Sequence, residues 1–322
     1  MEIQKPKHTK EIVASVILIT VLGIILGIFF VIAQKQEKAK EEMSTEEVGE
    51  IKVNPLDKVV IEGKAGLVID LNSQETYYAK NTTMILPLAS ITKLMTVLVA
   101  YEVLGESAVV QLGIEQWRTE GESAIYPGEN FKIMDLINLT LVASSNDGAA
   151  ALAYAAGQKL NQQRGNPNAN ATGTFVAEMN ALAKKIDMNN TVYYNPTGLD
   201  LSDGSAGAKG TVRDLEKMFQ YMIKSYPELL EATKDSRYST YSQQGIGHNL
   251  ENTNEIVNSL PNLLGSKTGF TDTAGGNLAV VIDPGLNTPI MIAVLGSTKE
   301  GRFNDVKKLS DTLLEYFSSE GE

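Results

Sequence analysis

Cysteine is absent from this 322-residue chain, and histidine is nearly so, with only His8 and His248. The first absence excludes a cysteine nucleophile, a disulfide and a Cys/His zinc site. It leaves the compartment open, since exported and cytosolic proteins both manage without cysteine. The scarcity of histidine bears on serine catalysis. His8 precedes a long apolar run and is cut off from the body by it, so a Ser-His-Asp triad has only His248 to draw on. That residue stands alone in Gly247-His248-Asn249 and reads as a packing or surface residue. A basic excess is missing too: 28 Lys and Arg face 39 Asp and Glu, a net charge of −11. Such a body repels phosphate, and no nucleic-acid partner is expected. No tight acidic spacing points to a carboxylate metal site, and there is no internal repeat. With 43% hydrophobic and 21% charged residues the chain suits one or two globular domains with a sizeable core.

One long hydrophobic run is present. Residues 12–33 carry no charge and are rich in Ile, Val, Leu and Phe. At about 1.5 Å per residue such a helix spans the roughly 30 Å hydrocarbon core of a bilayer. Lys5, Lys7 and Lys10 precede it, which places the N-terminus inside and the body outside. Val31-Ile32-Ala33 offers small-residue cleavage geometry, but the run exceeds the usual apolar core of a signal peptide, about 7–15 residues. The expectation is a short cytoplasmic tail at 1–11, a single-pass transmembrane anchor at 12–33, and an extracytoplasmic body. A stalk at 34–56 mixes Lys and Glu and ends near Pro55, leaving one domain at 57–322.

Within that domain, β-rich runs at Lys58 to Glu62, Ala65 to Asp70 and Glu75 to Ala79 predict strands, with a turn at Asn72-Ser73. Helices are expected over Ala89 to Val103, Lys132 to Ala143, Asp147 to Ala156 and Arg213 to Ile223. The Gln-, Asn- and Gly-rich stretch 158–173 reads as a long exposed loop. Phe175, Met179, Leu182 and Ile186 repeat at helical spacing as a core stripe. Strands return at Ser266 to Gly269, Asn277 to Asp283 and Pro289 to Leu295, and Val306, Leu309, Leu313 and Phe317 mark a closing amphipathic helix. Strands at both ends of the domain with helices between them describe an α+β fold: an antiparallel sheet built from distant chain segments, with an inserted helical lobe.

Three short strings carry chemistry: Ser90-Ile91-Thr92-Lys93, Ser144-Ser145-Asn146 and Lys267-Thr268-Gly269. Together they supply a serine nucleophile, an amine base, a second hydroxyl beside an amide, and a cation beside a hydroxyl. That inventory serves acyl transfer without histidine. Ser90 and Lys93 are three apart at a helix start, on one face. The helix N-terminus and burial both disfavour an ammonium, which moves Lys93 toward a working base. Ser144 and Asn146 can share a cleft while Ser145 points away, though Ser, Asn and Asp ahead of an Ala-rich run also read as a helix cap. Gly269 permits close approach of a ligand to the strand, and the lysine alone would equally suit a protected edge strand.

The three strings resemble those of the penicillin-binding proteins and serine β-lactamases. Ser144-Ser145-Asn146-Asp147, Tyr194-Asn195-Pro196-Thr197-Gly198-Leu199, Asn252-Thr253-Asn254 and Gly265 to Thr271 with Ala274-Gly275 narrow the likeness to the serine D-alanyl-D-alanine carboxypeptidases of low molecular mass. The resemblance covers about residues 55–318. It implies a β-lactamase/transpeptidase-like fold and removal of the terminal D-alanine from peptidoglycan stem peptides. In that scheme Ser90 attacks, Lys93 accepts its proton, and Ser144 with Asn146 passes a proton to the leaving D-alanine. Lys267, Thr268 and Gly269 bind the substrate carboxylate. Backbone N–H groups of Ser90 and Phe270 form the oxyanion hole, β-lactams acylate Ser90, and neither metal nor organic cofactor is required.

Other readings share these motifs. A β-lactamase needs a deacylating carboxylate, for which Glu178 is the nearest candidate, without the expected Leu-Asn pattern after it. A receptor acylated once would need an output domain, and the tail before residue 12 is too short for one. Endopeptidase and transpeptidase activities differ only in the leaving or accepting amine. Many members of the family carry a second domain and a C-terminal anchor; here the expectation is that the stretch after Gly269 completes the sheet and one helix without a second domain, and that the N-terminal segment takes the place of that anchor.

Overall fold

The computed structural model describes residues 23, 27–28, 30–35, 54–117, 125–285 and 287–320. The chain divides into two units, Met1–Val53 and Asn54–Glu322. In the first, the described residues are helical and exposed. Among the described residues no helix is long and apolar enough to cross a membrane. The expected tail 1–11 and most of the anchor 12–33 and stalk 34–56 lie outside the described residues.

The second unit is built on a five-stranded antiparallel sheet. Its strands are β1 (Ala65–Asp70), β2 (Thr76–Lys80) and, late in the chain, Leu263–Thr271, Gly275–Ile282 and Ile290–Ser297. The spatial order is Leu263–Thr271, Gly275–Ile282, Ile290–Ser297, β1, β2, so early and late segments meet at β1. Every residue of β1 is buried. A strand covered on both faces has no polar side, which explains its unbroken apolar run. Paired residues share a face. Leu67 and Ala293 enter one core, while their neighbours Val68 and Ile292 enter the other. The first core lies under a lobe of helices. The second lies under the closing helix Gly301–Glu320, through Phe303, Val306, Leu309 and Leu313.

The helical lobe surrounds α1 (Thr92–Leu104), whose residues from Thr92 to Ala100 are all buried. A helix apolar on every side belongs inside, and it carries Lys93 inside with it. Around it lie α2 (Ile114–Trp117), α3 (Ile133–Val142), α4 (Asn146–Gln163), α5 (Ala171–Lys185) and α6 (Val212–Ser225); the closing helix is α7. A carboxylate ties the segment that leads into β1, and the strand Ile290–Ser297, to α7. Asp305 accepts from Glu62 N and Gly63 N, both at 2.9 Å, and from Ser297 Oγ at 2.7 Å. Asp305→Ala strands three donors in a largely buried site and is expected to cost about 2–3 kcal/mol, read as a lower urea midpoint at unchanged slope.

Two expectations are corrected. Lys58 to Glu62 is not a strand: Pro55–Lys58 forms a 3₁₀ turn capped by Asn54 Oδ1, because proline presets the first turn. The loop expected over 158–173 is much shorter, since α4 runs on to Gln163 and α5 starts at Ala171. Leu160 and Asn161 are buried, and Asn161 is satisfied by Ala169 O at 2.8 Å and Thr174 Oγ1 at 2.7 Å, so amide-rich composition conceals a packed turn of helix. The sequence reading also passes over the hairpin Arg237–Tyr241/Gly247–Glu251, whose strands are mostly polar. Phe175, Met179 and Leu182 are buried as the core stripe requires, and Ile186 follows the helix half-buried.

Candidate active site

The chain reaches Ser90 through Leu86–Pro87, which pairs with Ala208–Gly210. Ala89 then adopts φ +48°, and a 3₁₀ turn over Ala89–Ile91 leads into α1. A left-handed alanine is strained by roughly 1–3 kcal/mol and persists only where its surroundings impose it. Asn277 imposes it from the sheet. Its Nδ2 donates to Pro87 O and Leu88 O, both at 3.0 Å, while its Oδ1 accepts from Gly296 N at 2.8 Å. Gly198 imposes it from the other side. A Cβ there would stand 1.8 Å from Ala89 O.

Lys93 is fully buried, and its Nζ lies 2.8 Å from Ser90 Oγ, 2.7 Å from Asn146 Oδ1 and 2.9 Å from Thr197 O. The last two can only accept. A neutral amine has two hydrogens and one lone pair, so those acceptors take the hydrogens and the lone pair is left facing the serine hydroxyl. Burial lowers the Lys93 pKa to about 7. The ion pairs among the described residues do not include it. The proton inventory and the desolvation therefore agree on a base.

Ser144 sits between α3 and α4 at φ +57°. Ser145 points away and caps α4 through Gly148 N at 3.1 Å, so capping and site geometry coexist in one tripeptide. Lys267 Nζ donates to Ser144 Oγ at 3.0 Å and to Thr268 O at 2.9 Å. Burial first, then repulsion from Arg302 and from Lys93 when it is protonated, hold Lys267 well below the usual lysine range. Thr268 Oγ1 is 2.6 Å from Thr253 Oγ1, and Thr253 N donates to Val142 O at 3.1 Å, joining the strand to the end of α3. Gly269 lies against the nucleophile turn: a Cβ there would stand 2.9 Å from Leu88 O and 3.1 Å from Ser90 N. Phe270, next along the strand, has a part-exposed ring with Lys299 Nζ 5.7 Å from its centroid.

All eight residues singled out from the sequence thus fall on one cleft between sheet and helical lobe. Thr197, Asn277, Thr253 and Arg302 were missed as contributors. Thr197 and Thr253 lie within strings that carried the family likeness, while Asn277 and Arg302 have no local signature. The other candidates fall elsewhere. His248 packs against Phe131 and pairs with Glu129 at 2.8 Å, both buried, which gives it a packing role. Glu178 is part-exposed on α5 and pairs with Arg164 at 2.6 Å.

Chemically, the cleft presents a hydroxyl on a neutral amine, a second hydroxyl on a second lysine, and a guanidinium behind the strand. In a chain of net charge −11 this local concentration of basic groups suits an anionic substrate group. The D-alanyl-D-alanine carboxypeptidase family model matches residues 52–299, and the chain belongs to that family. It is accordingly a D-alanyl-D-alanine peptidase, a hydrolase, with an α+β fold like that of the penicillin-binding proteins.

Among relatives, the D-alanyl-D-alanine endopeptidase of Pseudomonas aeruginosa is 32% identical over 262 residues, 79% of this chain and 78% of the relative. The D-alanyl-D-alanine carboxypeptidase DacF of Bacillus subtilis is 27% identical over 259 residues, 78% of this chain and 61% of the relative. Among solved structures, penicillin-binding protein D2 of Listeria monocytogenes in its cefotaxime-bound form is 27% identical with a TM-score of 0.63, covering 79% of this chain and 98% of that one.

Proposed function

We propose that this chain hydrolyses the terminal D-alanine from peptidoglycan stem pentapeptides through an acyl-enzyme on Ser90. The supporting observation is the Lys93 amine, buried and 2.8 Å from Ser90 Oγ with both its hydrogens already taken. Ser90 Oγ attacks the carbonyl between the two D-alanines as its proton passes to Lys93 Nζ. The oxyanion is met by the backbone N–H groups of Ser90 and Phe270, each worth about 3–4 kcal/mol in comparable sites. The proton returns by way of Ser144 to the departing amine, and water then releases the acyl group. Lys267, Thr268 and the close-approaching strand at Gly269 receive the substrate's terminal carboxylate. That anion restores the charged form of Lys267 which burial opposes. β-Lactams acylate Ser90 as mimics of the same substrate. The apolar run 12–33 anchors the enzyme in the cytoplasmic membrane, and the 34–56 stalk holds the domain outside, within reach of the wall.

The test is D-alanine release from a pentapeptide stem by the purified chain. Ser90→Ala is expected to abolish both release and covalent labelling by penicillin while keeping a cooperative melt. Release that survives in Ser90→Ala would overturn the assignment.

A second reading is D,D-endopeptidase action on cross-linked stems, favoured by the 32% identity to an endopeptidase. The two differ in the leaving amine alone. Digestion of cross-linked and uncross-linked muropeptides side by side separates them by which substrate is consumed.

A further inference from the structure

Arg302 is the second residue of α7, and only 6% of its surface is exposed. A guanidinium is costly to bury without a partner carboxylate. The ion pairs among the described residues do not include it, although Glu255 and Glu300 act on it through space. Its head group lies 4.6 Å from the centroid of the Phe303 ring, and its buried Nε has no hydrogen-bond partner among the described residues. Among the described residues its one hydrogen bond is from Nη1 to Gly269 O, at 2.8 Å. A buried charge thus spends its directional donor on a single backbone carbonyl.

That carbonyl belongs to the peptide unit whose other end is Phe270 N–H. The unit is planar and trans, so its C=O and N–H point in opposite directions. Fixing Gly269 O on Arg302 therefore aims Phe270 N–H away from Arg302. At Gly269 the same strand lies against the backbone N of Ser90. We propose that Arg302 is a positioning residue that sets the oxyanion hole from behind, holding the Gly269–Phe270 peptide so that Phe270 N–H meets the developing oxyanion. This rests on Phe270 N–H being an oxyanion donor, as in the mechanism above. Asn277 does the corresponding work on the Ser90 side by gripping Pro87 O and Leu88 O. The two halves of the hole are held by separate side chains, both rooted in the sheet and α7 rather than in the helical lobe.

The experiment is stopped-flow acylation of the full chain by a chromogenic cephalosporin. It separates the limiting acylation rate from the half-saturating concentration, which reports the non-covalent complex. Removing an oxyanion donor outright costs about 10²–10³-fold, so loosening one in Arg302→Met is expected to lower the limiting rate roughly 10–100-fold. The half-saturating concentration stays within about threefold of wild type, because the ground-state carbonyl depends little on this contact. Arg302→Lys keeps the charge but replaces the rigid fork by a flexible stem, and its limiting rate falls by about 3–10-fold. If Arg302→Met does not fold, Arg302→Lys decides alone by the same split. A limiting rate within about twofold of wild type in a cooperatively melting variant overturns the proposal, as does a loss confined to half-saturation. Failure of the underlying reading looks different: the wild-type chain then forms no Ser90 adduct at all, and the role of Arg302 falls with it.

Discussion

Lys93→Met is expected to lower the rate of Ser90 acylation by at least about 10³-fold, close to the loss in Ser90→Ala. Methionine keeps the length and apolar stem of the side chain but has no lone pair basic enough to take the serine proton. It also leaves Asn146 Oδ1 and Thr197 O without the donor they now share. Stability changes less than activity, since a desolvated amine is exchanged for a well-accommodated thioether. The two effects are read separately, by rate of β-lactam labelling and by urea denaturation. A Lys93→Met chain that labels within tenfold of wild type would show that some other group accepts the proton.

Gly198→Ala is expected to have the largest effect among substitutions that touch no reacting group. Gly198 has φ +78°, and a Cβ there would stand 1.8 Å from Ala89 O and 2.7 Å from Thr92 Oγ1. Backbone cannot yield as a side-chain tip can. The strain of a left-handed alanine adds to the overpacking, for a loss of roughly 3–5 kcal/mol. Relief is available only by displacing Ala89, and with it the Ser90 N–H and the Thr197 carbonyl that orders Lys93. Acylation is therefore expected to fall by at least about 100-fold in whatever fraction stays folded. Gly165→Ala is the control. That glycine has φ +70° but nothing within 4 Å of its Cβ position, so it carries only the conformational penalty, about 1 kcal/mol, and leaves acylation unchanged. Equal effects in the two variants would contradict the steric account.

The parts of this site legible in the sequence are those whose chemistry sits in contiguous strings. Ser90 with Lys93, Ser144 with Asn146, and Lys267 with Thr268 each declare a reactive pair at short spacing, and their convergence follows from strands at both ends of one domain. Thr197 contributes a backbone carbonyl, which no residue type encodes. Its delivery depends on Asn195 Oδ1, which folds the turn by accepting from Thr197 N, Thr197 Oγ1 and Gly198 N. Asn277 and Arg302 act on backbone atoms far away in sequence, so neither composition nor spacing marks them out.

The fold divides in the same way. The core stripe Phe175, Met179 and Leu182 shows in the helical period because one face of α5 is buried. The end of α4 hides because Asn161 satisfies its amide inside the protein, and the hairpin at 237–251 hides because its strands bury only Thr240, His248 and Leu250.

The account turns on Lys93 being a neutral base. Its buried pKa of about 7 makes the amine charged below that pH and neutral above it. The rate of Ser90 acylation by a β-lactam whose own charge stays constant, followed by mass spectrometry of the full chain from pH 5 to 9, tests this most directly. The prediction is a rate that climbs about tenfold per unit at low pH and levels off above about 7. A rate independent of pH across that range, or an adduct on any residue other than Ser90, would contradict it.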